Sequence, residues 1–333
     1  MSNKIKESNS KKKNEIKIME YIVLQLDVIN KYKKIKRLDK SSKLNCFHKF
    51  NFQIKNIHKI VLLIIIIFSF YYNHLYIGNK KIKIRKLNSD YSEITMTLSG
   101  TGEKYILYEN FIPLPDEIII NGDNAPSNTL LHNLGSFENI VILRWYGQLE
   151  DCAYMFYFFD YMTKIDLSKF DSSKVTTTEY MFYQAKNLEY INFTNFNTPS
   201  LLDMSYMFYN CKKITSLDLS SFDTSKVKNM ISLFNYVGNL EYINISNFDT
   251  SSVTNLKYLF MGCNKLTSLD LSHFKTPSLQ KIGGMFHGCT SLVYLNISSL
   301  DTSNVNDIAS LFYNCENLEY INLKHLKFKI VRI

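Results

Sequence analysis

From residue 150 onward the apolar positions fall in a frame of 26 residues. Phe156, Phe182, Phe208, Phe234, Phe260, Phe286 and Phe312 stand at one interval with no insertion between them. Six, nine and eleven residues past each Phe the chain is again apolar, as at Ile214, Leu217 and Leu219 or at Leu292, Leu295 and Ile297. The nine-to-eleven spacing predicts a short strand with alternate residues facing inward. In the second half of the frame Val253, Leu256, Leu259 and Phe260 follow i, i+3, i+6 and i+7, which predicts about two turns of helix or 3₁₀. Thr198, Thr224, Thr250, Thr276 and Thr302 stand where an N-cap belongs, and Pro199 and Pro277 follow where the first helical residue belongs.

A fixed period of this length implies stacked coils. One coil cannot bury enough apolar surface to offset the entropy of ordering it, so neighbours must share buried faces. The expected architecture is an α/β solenoid, a right-handed leucine-rich repeat horseshoe with a parallel β-sheet, seven coils over residues 150–326. Residues 91–148 lack the repeat. Strand-like runs at Glu93 to Leu98, Lys104 to Tyr108, Glu117 to Ile120 and Ile140 to Trp145 alternate with turn signals at Gly100-Thr-Gly102, Asn121-Gly122 and Ala125-Pro126. This predicts an N-terminal β cap over the otherwise exposed apolar end of the first coil.

The segments Phe222-Asp-Thr-Ser-Lys-Val-Lys-Asn-Met230 and Met207-Phe-Tyr-Asn-Cys211 resemble the BspA-like leucine-rich repeat surface proteins. The resemblance covers about residues 150 to 326. It implies an extracellular, surface-attached binding protein with no catalytic residues.

Charge changes the picture at the N-terminus. Residues 1–59 hold 16 Lys and Arg against 5 Asp and Glu, a surplus of 11 in a chain of net charge +9, so the remainder is near −2. The tail is read as a disordered basic leader, with nucleic acid or acidic lipid as the competing partners. No nucleic-acid role is expected of the repeats. Ile60 to Tyr72 is uncharged and extends to Ile77 if Asn73 and His74 lie at an interface. Residues 60–77 therefore suggest a single-pass membrane anchor; a cleaved signal peptide, with secretion, and a buried core strand compete with it. The basic tail places the N-terminus in the cytoplasm and the repeats outside, although Lys80, Lys81, Lys83, Arg85 and Lys86 oppose that orientation.

Outward strand positions form rows on neighbouring coils. One row runs Asp166, Asn192, Asp218, Asn244, Asp270, Asn296, Asn322; the next holds Tyr190, Ser216, Tyr242, Ser268, Tyr294 and Tyr320. Interleaved Asn separates the like charges of the Asp residues. The candidate ligand face, on the concave side, is Tyr190, Tyr242, Tyr294, Tyr320, Asn192, Asp218, Asn244, Asp270 and Asn296. The competing reading is a solvated sheet face whose polar rows bond to one another. Asn192, Asn244 and Asn296 also open glycosylation sequons. Carboxylates about two strands apart are too distant to share a metal ion, and no cofactor is expected. Cys263, Cys289 and Cys315 share a position held elsewhere by Phe159, Ala185 and Val237, which marks them as buried thiols. No nucleophile, metal or paired-carboxylate spacing departs from the repeat, so no enzyme is expected. Two functions compete: a surface binding module for a protein or glycan ligand, and a coat protein self-associating through solenoid edges or an uncapped C-terminal end.

Overall fold

The computed structural model describes residues 91–324. The basic tail, the apolar segment 60–77 and the last residues of the chain lie outside the described residues. Among those described there are thirteen strands and no helix. They build a β-solenoid preceded by an antiparallel cap.

The cap uses β1 (Ser92–Ser99), β2 (Gly102–Tyr105), β3 (Glu117–Ile120), β4 (Asp123–Ala125), β5 (Leu131–Leu134) and β6 (Glu138–Trp145). Asn121 and Gly122, at φ 52° and 92°, form the two-residue turn between β3 and β4, as Asn-Gly favours. The cap is joined to the repeats by strand pairing. β1 lies antiparallel to β6 on one side and to β7 (Met162–Lys169), the first coil's strand, on the other. β7 then pairs in parallel with β8 (Tyr190–Asn192), so one sheet passes from cap to solenoid. Glu93 sits in this junction at 3% exposure, with Arg144 Nε at 2.7 Å and Lys169 Nζ at 2.9 Å. Burial alone would raise its pKa; the hydrogen bonds and charges of Lys169 and Arg144 outweigh it and hold the carboxyl below its ordinary value. Trp145 covers the first coil's Phe170 edge-on at 6.4 Å.

Along the solenoid the anchor phenylalanines form one unbroken stack. Successive rings from Phe156 to Phe312 are 5.3 to 6.1 Å apart and within 18° of parallel. Four cysteines explain why thiols recur beside that stack. Cys211, Cys263, Cys289 and Cys315 donate Sγ–H to the carbonyls of Phe182, Phe234, Phe260 and Phe286 at 3.0 to 3.2 Å. All are free, and burial pushes the Cys289 thiol up to about 12.

The expected helix in the second half of each coil is absent, and with it the α/β class and the leucine-rich horseshoe. Two residues per coil take a left-handed φ, two before and two after each anchor Phe. Tyr206 (57°) and Asn210 (58°) are one such pair, and Gly284 (63°) and Gly288 (74°) another. Left-handed residues at that spacing end any helix. They fold the segment into successive tight turns whose alternate N–H groups point to the next coil. Tyr206, Phe208 and Asn210 donate to the carbonyls of Ile231, Leu233 and Asn235 at 2.8 to 3.0 Å. Five residues before each anchor Phe the coils meet in parallel bridges that run without a break from Asp151 through Thr177, Asp203, Asn229, Asn255 and Lys281 to Asp307. The apolar i, i+3, i+6 spacing thus belongs to inward-facing turn residues. The threonines are not N-caps either. Thr224 Oγ1 is buried and donates to the carbonyl of Asp249 in the next coil at 3.0 Å, and Thr198 and Thr250 do the same to Asp223 and Lys275. Without helices the distinction between a concave and a convex side loses its basis.

The strand side has a longer period. β9 (Ser216–Asp218) pairs with β10 (Tyr242–Asn244), and β11 (Ser268–Asp270) with β12 (Tyr294–Asn296) and then β13 (Tyr320–Asn322). β8 and β9 belong to separate sheets, as do β10 and β11. Three of the four pairings between coils join a coil bearing Asp to the following coil bearing Asn, and β12 with β13 joins Asn296 to Asn322. At the two seams a side chain takes over: Ser221 Oγ donates to Phe193 O at 2.8 Å, and His273 Nε2 to Ile245 O at 2.9 Å.

Candidate functional site

The four tyrosines proposed from the sequence stand on the strand face, with Tyr190, Tyr242, Tyr294 and Tyr320 exposed at 57, 60, 37 and 51%. Tyr294 and Tyr320 are brought together, stacked at 4.9 Å and 3°. Tyr190 and Tyr242 stand apart, with the serine coil of Ser216 between them.

The Asp and Asn row beside them is occupied by the fold itself. In each coil the side-chain oxygen accepts the amide two residues on: Ser220 N to Asp218, Ser246 N to Asn244, Ser272 N to Asp270, Ser298 N to Asn296 and Thr194 N to Asn192, at 2.8 to 3.3 Å. These are the local side-chain turns that Asp and Asn favour. Asn192 Nδ2 also donates to Asp166 at 3.1 Å, and Asn244 Nδ2 to Asp218 at 3.0 Å, so two of the sequon nitrogens are engaged. The Ser220 hydroxyl and amide, with Asn244, hold the Asp218 carboxyl below its ordinary value. The row thus has a structural task, and the tyrosines are the side chains left free to meet another molecule.

A second aromatic array on the turn side was missed. Tyr154, Tyr180 and Tyr206 stack at 4.9 and 4.7 Å, and Tyr157, Tyr183 and Tyr209 beside them at 5.1 and 4.6 Å. Tyr108 of the cap continues the array at 5.7 Å from Tyr157. Burial and the neighbouring Tyr206 push the Tyr180 phenol up to about 12, which keeps it a hydrogen-bond donor. The signal was present: Tyr recurs two residues before and one after the anchor Phe in the first three coils. The two positions are three residues apart, and on the column of turns they lie side by side.

A profile of the protein family described as "Mycoplasma protein of unknown function, DUF285" matches this chain over residues 150–242 and again over 208–325. No curated protein and no solved structure matches it.

Proposed function

The chain belongs to that DUF285 family, and on this premise we propose that it is a non-catalytic binding module displayed at a cell surface, with a protein or glycan as ligand. The observation that carries this reading is the set of exposed tyrosines on rigidly spaced strands, Tyr190, Tyr242, Tyr294 and Tyr320. Held on a sheet, such rings give large contact area with little loss of rotamer freedom. The resemblance of the repeats to BspA-like surface proteins supports it, as do the basic tail and the apolar segment 60–77 as a membrane anchor.

Beads carrying the full chain, applied to cultured epithelial cells, test the reading. Tyr242→Ser with Tyr294→Ser should weaken attachment by about 2 kcal/mol or more, while the thermal transition barely moves. Unchanged attachment removes the strand face as the ligand surface. Protease added to intact producing cells should digest the repeats and spare the N-terminal tail; full protection removes the surface location. The coat-protein alternative instead requires oligomers in sedimentation that grow with concentration.

A further inference from the structure

The turn side changes character at the fourth coil. Two residues before the anchor, Tyr154, Tyr180 and Tyr206 give way to Ser232, Tyr258, Gly284 and Ser310; one residue after it, Tyr209 gives way to Asn235 and Met261. The lost bulk opens a groove of about 490 Å³ on this face, walled by Tyr206, Tyr209, Tyr236 and Tyr258. Tyr236 is shared with a second groove of about 420 Å³, where Asn210, Lys212, Asn239 and Asn264 line the walls.

The two tyrosines of the fourth and fifth coils do not stand in the upright stack. Each lies over a glycine of the next coil. A Cβ on Gly262 would come to 2.7 Å from Tyr236 Cδ1, and one on Gly284 to 2.5 Å from Tyr258 Cδ1 and Cε1. Both glycines have a left-handed φ, so the backbone and the ring position exclude a side chain together. Tyr236 packs edge-to-face on Tyr209 at 5.9 Å and is 43% exposed, which leaves ring surface open between the grooves.

Beside these rings stand matched polar groups. Lys257 Nζ meets Asp307 Oδ2 at 2.8 Å, across Gly283, where a Cβ would strike the Asp307 carboxylate at 2.7 Å. The pair is neutral in sum and is about three-quarters buried. Asn235 lines the same groove at 5% exposure. Its Nδ2 donates to Ser232 Oγ at 3.1 Å, and its Oδ1 has no hydrogen-bond partner among the described residues. The backbone offers nothing further. Ser232, Tyr236, Tyr258, Gly262 and Gly284 all spend their N–H groups on the next coil, so a peptide strand has no edge to extend.

We propose that this groove binds a neutral saccharide chain, one sugar ring packed on the face of Tyr236 and its neighbours reaching into the two grooves. The C–H face of a sugar ring suits the electron-rich face of tyrosine. Its hydroxyls supply donors for the Asp307 carboxylate and acceptors for Lys257. The Lys257–Asp307 pair adds no net charge to its groove, and Lys212 brings a positive charge to the second. The site lies on the turn side and is independent of the strand-face tyrosines.

The test is the full chain on an array of neutral, sialylated and sulfated oligosaccharides, followed by titration of the best neutral tetrasaccharide. Binding of neutral chains is expected, with Tyr236→Ser weakening it at least tenfold and Tyr236→Phe retaining it. Tyr242→Ser, on the other side, should leave the titration unchanged, which separates this site from the strand-face reading. The proposal is overturned if no neutral chain binds, if only charged glycans bind, or if Tyr236→Ser binds as tightly as the parent.

Discussion

Asn244 donates its side-chain amide to the carboxylate of Asp218 at 3.0 Å, one coil back, and the two strands that carry them are paired in parallel. Asp166 with Asn192 repeats the arrangement. Viewed from the strand side, the coils are therefore grouped by strand pairing, two in each of the first two groups and three in the last.

Asn244→Asp should turn that bond into a like-charge contact. At pH 7 the loss is expected at about 1 kcal/mol. It should fade near pH 4, as one of the two carboxyls takes up a proton. Thermal unfolding at both values measures this, and an equal loss at each would show that charge is not the cause.

Phe234→Ala opens a cavity between rings 5.9 and 5.3 Å away, and should reduce stability by about 3 to 5 kcal/mol. The exposed Thr267→Ala should change it by no more than about 0.5 kcal/mol. Chemical denaturation of the two variants compares them directly, and similar losses would contradict the assigned register of the repeat.

Thr224→Val keeps the shape of a buried side chain and removes its bond to Asp249 O, so a loss of about 1 to 2 kcal/mol is expected. Thr224→Asn discriminates further. At a helix N-cap Asn is as good as Thr, but in this packed column it should unfold at a lower temperature than the parent.

Glu93→Gln should destabilise the junction of cap and first coil by about 2 kcal/mol at pH 7. Because the folded carboxyl titrates below its ordinary 4.5, its contribution is present above that pH and is lost as pH falls through the lowered value. Wild type and variant should therefore converge in thermal stability as pH falls through that lowered value. A gap of constant size across that range would assign the effect to packing.

Sequence reading recovered the frame, because a phenylalanine every 26 residues has no other physical meaning than stacking. It also recovered the parallel strands, the Asn121-Gly122 turn and the β character of the cap. It failed where one spacing serves two geometries. Val253, Leu256 and Leu259 suit a helix, but they suit inward residues of successive turns equally, and Tyr258 gives no warning of its φ of 58°. The Asp and Asn alternation was visible, read as charge spacing, with polar rows bonding to one another as the competing reading of the face. Hydrogen bonding between paired coils, and the seams held by Ser221 and His273, depend on register that no single strand reveals. For the same reason the strand tyrosines were found and the groove beside Tyr236 was not. The first lie on alternating residues, whereas the second exists only where a glycine of one coil meets a ring of another.

The seams bear on how the repeats respond to load. The bridges from Asp151 to Asp307 run through every coil, whereas strand pairing stops between β8 and β9 and between β10 and β11. Stretched from its two ends, the array should tear at these interruptions first and come apart in packets. A packet of two coils pays out roughly 180 Å of extended chain. A force–extension trace of the repeats should then lengthen in steps of that size.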